Sequence, residues 1–443
     1  MPDAAVAALR QGVSMVSTLV LKDSSDRTAY SVFEEGGTDS LPIGFGQGNN
    51  LVLLPDPASL VQLPWAERTG LMRCQPWFQD ARPLALDSRR VLQSALEQLA
   101  GQDVGLICGL EIEFHIYRIT DQSAQLAPQT AGWPGEPPAL EMIHPGFHLL
   151  SEQWADMADR PLAIVRRVAQ GLSMPLTSLE IEMGPSQVEA VFAPTDALVA
   201  ADQMVLFRSA VRQALRREGY YASFVCRPPF EQIMSSGWHL HQSVVDARSG
   251  LNLFCRQSAA ESSTALDAEF SLSERGEHWL AGLLTHARAS TVFCAPTINA
   301  YARFRPNMLA PQSIVWGRDN RGAMLRVVGA AGDASSRIEN RLGEPAANPY
   351  LYIAAQVHSG LEGWRAGLRA PQATLSPYAA SSGRLPVALG EALDALLADS
   401  ALVARFGDDF VRYLVHIKRA ELARWRAAPE KTEFERREYF SRI

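Results

Sequence analysis

Four stretches of this chain place Glu, His or Arg at alternate positions and lysine at none. Val104–Tyr117 reads Val-Gly-Leu-Ile-Cys-Gly-Leu-Glu-Ile-Glu-Phe-His-Ile-Tyr. On a strand, side chains alternate between faces, so Glu111, Glu113 and His115 share one face while Ile112, Phe114 and Ile116 share the other. Ser178–Gly184 puts Glu180 and Glu182 together, with Glu189 following a Gly-Pro-Ser-Gln turn. Gly237–Val245 aligns His239, His241 and Ser243, and Ser336–Leu342 aligns Arg337, Glu339 and Arg341. A half-buried strand also shows a polar face to water, but solvated faces favour Lys and Thr. If these four faces converge, like charges at about 4 Å repel by roughly 4 kcal/mol at an effective dielectric near 20, so cations must neutralise them. Carboxylates with imidazole suit Mg²⁺ or Mn²⁺ better than a thiolate-seeking metal.

A cationic set follows. Residues 303 to 341 hold Arg303, Arg305, Arg318, Arg321, Arg326, Arg337 and Arg341 with no lysine among them. Guanidinium forks grip carboxylates and phosphates bidentately, which points to a polyanionic substrate. Metals with arginines suggest phosphoryl transfer, although neither a Walker motif nor a kinase Gly-rich loop is present. Gly44-Phe45-Gly46-Gln47-Gly48 lacks the Gly-Lys-Ser/Thr ending of a phosphate loop and reads as a turn.

The remaining sequence sets bounds. With 443 residues, 47% hydrophobic residues and 20% charged residues, the composition is that of a globular chain with room for more than one domain. Lys+Arg 41 against Asp+Glu 48 gives a net charge of −7, which argues against a nucleic-acid partner. Five scattered cysteines, with no Cys-x-x-Cys, argue against a disulfide framework. With no recognisable leader and no apolar run long enough to span a bilayer, the expectation is a cytoplasmic protein without a membrane partner. Helices are predicted over Asp87–Ala100, Thr195–Arg217, Glu274–Thr291 and Pro349–Leu368 and through the tail from about Pro386 to Ala428, with a loop at Ala379–Arg384. Helices alternating with isolated strands, without βαβ regularity, predict an α+β fold.

The chain resembles the glutamine synthetase family. The resemblance is carried, in the family's order, by Gly109-Leu-Glu-Ile-Glu-Phe114, Glu182-Met-Gly-Pro-Ser-Gln-Val-Glu189, Gly237-Trp-His-Leu-His-Gln-Ser243, Asn299-Ala-Tyr-Ala-Arg303, Asp319-Asn-Arg321 through Arg326, and Arg337-Ile-Glu339 through Ala346-Ala-Asn-Pro-Tyr350. The closing Arg436-Arg-Glu-Tyr-Phe440 fits as well. It implies a small β-grasp-like domain over 1–100 and a catalytic domain over 101–443, with a funnel of antiparallel strands flanked by helices. It implies two or three Mg²⁺ or Mn²⁺ ions, one held by Glu113, Glu182 and Glu189, the other by Glu111, His239 and Glu339. It assigns His241 and Ser243 to ATP, Arg321, Arg326 and Arg337 to the phosphate clamp, and Arg303 and Arg341 to glutamate. A homo-oligomeric ring is implied too.

Three departures from the ammonia-using enzyme shape the expected function. The family's Asn-Gly at the glutamate end is Met234-Ser235. The flap glutamate is replaced by Leu309 in Pro306-Asn-Met-Leu-Ala-Pro311. The ammonium-pocket segment becomes Asp39-Ser-Leu-Pro-Ile-Gly44. Apolar Leu309 and Leu41 in place of polar groups favour an amine with a hydrocarbon body over NH₄⁺. The resemblance therefore leans to the glutamate–amine ligase branch, in which ATP phosphorylates the γ-carboxylate of glutamate and an amine displaces phosphate. The alternatives are a true glutamine synthetase and a non-catalytic relative. Against the last, all six ligand positions carry side chains that can bind a metal.

Overall fold

The computed structural model describes residues 9–42, 44–256, 272–305, 308–379 and 383–443. Residues 1–8, on which the leader reading rests, lie outside the described residues. So do Ile43, Pro306 and Asn307 of the two altered segments, and 380–382 of the loop expected at Ala379–Arg384.

A small antiparallel sheet comes first. It joins β1 (Val13–Val16), β2 (Asn50–Pro55) and β5 (Cys74–Trp77) in the order β1-β2-β5, while β3 (Val61–Gln62) and β4 (Gly70–Leu71) form a separate two-residue ladder. The large sheet contains β6 (Val104–Asp121), β7 (Ala139–Met142), β8 (Leu176–Ile181), β9 (Gln187–Asp196), β10 (Tyr220–Ser223), β11 (Trp238–Asp246), β12 (Trp316–Arg318), β13 (Leu325–Val328) and β14 (Arg337–Gly343). Its central order is β12-β13-β14-β11-β6-β9-β8, with β7 and β10 also pairing with β6. All its pairs are antiparallel except β12 with β13.

The alternation read from the sequence explains why β6 runs through the middle. Leu110, Ile112, Phe114 and Ile116 are buried in the core. Phe114 meets Phe207 of the helix Ala197–Arg217 edge to face at 5.9 Å, and Phe192 of β9 meets the same ring at 4.9 Å. Each buried Phe contributes about 1.5–3 kcal/mol, so the apolar face fixes the register, and the register in turn fixes the polar face.

Helix ends follow local chemistry. Asp87 caps Ser88–Ala100 by accepting from the Arg90 amide at 3.2 Å. Asn348 caps Pro349–Ala366, and Gly367 ends it in the left-handed region at φ 59°. Two expected helices are shorter than the periodicity suggests. Thr195 and Asp196 belong to β9, and Asp196 caps a helix that starts at Ala197. The stretch 274–291 breaks at His286, whose Nδ1 lies 2.6 Å from Asp399 Oδ2, giving Glu274–Thr285 and Ala287–Cys294. The tail forms Leu389–Ala398, Ser400–Phe406 and Asp408–Ala427. The last of these ties the ends of the chain together: Lys418 Nζ donates to Ser24 Oγ at 2.7 Å, and Arg424 pairs with Asp23 and Glu438.

Candidate active site

Strand register assembles the polar face. Glu111 stands opposite His239 across the β6–β11 ladder, and Glu113 opposite Glu189 across β6–β9. Glu339 stands opposite His241 across β14–β11 and opposite Arg326 across β14–β13. Directly paired residues hold their Cβ atoms about 4.5–5.5 Å apart, so residues as far apart in the chain as Glu111 and His239 meet. Glu182 lies just beyond the end of β8, in the turn that leads to β9.

Two kinds of acidic cluster result. Ligand atoms of Glu113, Glu182 and Glu189 lie within 4.8 Å of one another. Burial pushes all three carboxyls up, and nearby carboxylates push further: Glu182 acts on Glu113, Glu180 and Glu111 on Glu182, and Glu113 and Glu111 on Glu189, which reaches about 9. Three carboxylates this close do not share a site fully ionised unless a cation joins them. The second set is Glu111, His241 and Glu339, with Glu111, Glu189 and His239 overlapping it. His239 Nδ1 is 3.3 Å from Glu111 Oε2 and 3.7 Å from Glu339 Oε1. Burial would raise Glu111 and Glu339, but both are held below the usual carboxylate range. Hydrogen bonds from His239 and His241 act on Glu111, while His239, Arg341, His241 and Arg326 surround Glu339. Of these neighbours the two guanidiniums are charged at any working pH: Arg341 Nη1 donates to Glu339 at 2.5 Å and Arg326 Nη1 at 3.0 Å.

The donor set fits divalent ions. His239 is pushed down to about 4 by burial and by Arg341, so it is neutral and offers a lone pair. Its Nε2 is buried without a hydrogen-bond partner, 4.0 Å from Glu113 Oε1. Glu113, Glu182 and Glu189 would hold one ion; Glu111 and Glu339 with His239 or His241 would hold another.

A cavity of about 480 Å³ opens beside the second cluster, lined by Glu111, Phe192, Pro194, His241, Ser243 and Arg337 among others. Arg337 Nε donates to His241 Nδ1 at 3.1 Å, which leaves Nε2 facing Glu111 Oε1 at 3.0 Å. Ser243 Oγ donates to the Ser336 carbonyl at 3.0 Å.

The other expected residues are placed as follows. Arg303 is buried, and its Nη1 donates to the Arg341 carbonyl at 3.0 Å; a Cβ at 237 would sit 2.5 Å from Arg303 Nη2 and would displace the guanidinium. Arg321 is exposed. Ser235 Oγ accepts from Arg227 Nη1 at 3.3 Å. Leu309 is exposed on a left-handed backbone. Asp39 is exposed in its own turn, where its amide donates to the Gly36 carbonyl; no described contact joins it to the sheet. Leu41, expected at the amine, is instead buried in the core, so on this chain it is a packing residue. His115 shares a strand with Glu111 and Glu113 but faces Ser236 Oγ at 3.3 Å and belongs to neither cluster.

One residue escaped the sequence reading. Gln187 Nε2 donates to Glu113 Oε2 at 3.1 Å and to Ser236 Oγ at 3.0 Å, while its Oε1 accepts from the Gly184 amide at 2.8 Å. A polar residue between two glutamates expected to bind a metal was the available signal.

The profile of the glutamine synthetase catalytic domain matches residues 85–437. The chain belongs to the glutamine synthetase family. It is 37% identical over 406 residues to gamma-glutamylanilide synthase of Acinetobacter sp, covering 88% of this chain and 79% of that one. It is 30% identical over 401 residues to gamma-glutamylethanolamide synthetase of Streptomyces coelicolor, covering 90% and 80%. Among solved structures, a GmaS/ADP complex superposes with a TM-score of 0.75 at 27% identity, over 99% of this chain and 92% of that one. This member of the family thus combines the fold of the family with a doubled acidic site. Among the described residues no helix is long and apolar enough to cross a membrane, and all five cysteines are free.

Proposed function

We propose that the protein is an ATP-dependent ligase that joins glutamate to an organic amine through a γ-glutamyl phosphate. The observation that carries this reading is the doubled cluster beside a nucleotide-sized cavity: Glu113, Glu182 and Glu189 on one side, Glu111, His241 and Glu339 on the other. The names of the relatives, an anilide synthase and an ethanolamide synthetase, support the amine as co-substrate. Mg²⁺ or Mn²⁺ bound there would neutralise phosphate oxygens during transfer.

In this reading His241, Ser243 and Arg337 line the ATP cavity. Arg321, exposed and uncommitted among the described residues, closes on the transferring phosphate together with Arg326 and Arg337. Arg303, Arg341 and Ser235 hold the glutamate end. The γ-carboxylate oxygen takes the terminal phosphoryl group and ADP leaves. The amine nitrogen then bonds to the acyl carbon, the C–O bond to phosphate breaks, and one proton leaves the nitrogen. Leu309 and the exposed Asp39 belong to the amine side, Asp39 reaching a neighbouring subunit's site in a homo-oligomeric ring.

The test is phosphate release from ATP with glutamate, Mg²⁺ or Mn²⁺, and a panel of amines, with Glu111→Ala as the negative control. Amine-dependent release with little response to ammonium is expected. Substantial turnover with ammonium and none with any amine would reject the reading.

A further inference from the structure

The helix Ala197–Arg217 carries Arg208, Arg212 and Arg216 about one turn apart. Residues four apart share a helix face, and like charges there repel. Among the described residues none of the three has a carboxylate partner. Arg208 Nη1 donates to the Pro345 and Ala347 carbonyls at 2.6 and 2.9 Å. Arg212 Nη2 donates to the Arg442 carbonyl, and Arg216 Nη2 to the Gln122 side chain at 3.1 Å and to the Gln125 side chain. Arg216 Nη1 is buried with no hydrogen-bond partner. The nearest acid in the sequence, Glu218, is engaged by Arg167 and Arg160. Burial pushes the Arg212 guanidinium down, and burial together with the charge of Arg212 pushes Arg208 down to about 10.

Arg212 and Arg216 line a cavity of about 360 Å³ with Gln125, Ser209, Gln213 and Tyr220 among its other walls, and no acidic residue lines it. That volume falls within the roughly 300–1,000 Å³ of small-molecule sites. The cavity stands apart from the acidic clusters. Tyr221, also in its lining, pairs with Tyr117 of β6, which lies roughly 13 Å along the strand from Glu113.

Charges taken out of water are ordinarily paired, so two guanidiniums facing a cavity without an acid lack an anion. One carboxylate would balance one of the two charges. A phosphate, close to −2 at neutral pH, balances both and offers three oxygens to the guanidinium forks. We propose that Arg212 and Arg216 hold a phosphate dianion, free or as the head of a small phosphate ester, at a second ligand site outside the catalytic funnel. This site does not depend on the ligase reading.

The test is calorimetry at neutral pH, with Mg²⁺ present, using inorganic phosphate, phenyl phosphate and succinate as probes. Both phosphates should bind the wild type. Arg212→Gln and Arg216→Gln should each weaken them at least tenfold, and Arg216→Lys, which keeps the charge but loses the fork, at least threefold. Glu111→Ala, at the catalytic cluster, should leave the affinity within twofold. Tighter binding of phenyl phosphate assigns the site to an ester, and equal binding assigns it to phosphate itself. Should a glutamine variant fail to fold, Arg216→Lys decides: an unchanged affinity there overturns the inference. So does a wild type that binds neither phosphate, or a loss in Glu111→Ala without one in the arginine variants. Succinate binding as tightly as phenyl phosphate overturns the choice of phosphate. A change of oligomeric state in Arg212→Gln, seen by light scattering in a protein that binds no probe, would make the pair a subunit contact.

Discussion

Two sets of buried acids sit side by side on this sheet and solve the same electrostatic problem differently. Glu339 is fully buried, yet Arg326 and Arg341 keep it ionised. Glu113, Glu182 and Glu189 have no guanidinium bonded to them among the described residues, and all three are driven toward the protonated form. The protein's own guanidiniums balance much of the first set's charge; the second would need a cation from outside. Charge placed against its own partner stabilises a fold, and charge placed against its own kind makes a receptor.

The largest effect should separate the two sets by stability. Glu339→Gln leaves two buried guanidiniums without their shared anion and should lower unfolding free energy by roughly 3–5 kcal/mol, read by urea denaturation. An unchanged midpoint would erase the distinction. Glu189→Gln should do the reverse in the metal-free protein, raising its melting temperature, while Mn²⁺ affinity falls by about 100-fold in calorimetry. Destabilisation of the metal-free form would show that the trio is not strained. Gln187→Ala withdraws a hydrogen bond from Glu113 and should weaken Mn²⁺ by about tenfold with little change in fold stability; an unaltered affinity would reduce Gln187 to packing.

The smallest effect is a pH slope. The folded trio keeps protons that the unfolded chain releases near 4.5, so its contribution is fully present below that pH and is lost as pH rises through about 7 for Glu113 and about 9 for Glu189. Glu339, held low, contributes above 4.5 and loses its contribution as pH falls. The melting temperature with chelator should therefore decline from pH 6 to 9, and added Mg²⁺ should recover more at pH 9 than at pH 6. Parallel curves with and without Mg²⁺ would contradict the trio's role.

Much of this site was legible because strand alternation is local. A period of two places Glu111 with Glu113, and His239 with His241, whatever the rest of the chain does. The helix over Ser88–Ala100 was equally legible from its cap and stop. Boundaries set by distant partners were not. His286 breaks a continuous periodicity because Asp399, more than a hundred residues away, engages its ring. Leu41 looked like an amine-pocket residue in its segment, and the core took it.

The order of residues alone determined which chemical groups share a strand face, because neighbouring backbone geometry dictates that. Only the tertiary structure decided which faces meet and which acids receive an arginine. It also decided that Arg303 turns inward to a carbonyl while Arg321 stays in solvent. Those outcomes depend on register and burial across hundreds of residues, where desolvation and pairing set the sign of each charge's contribution, and no local pattern encodes them.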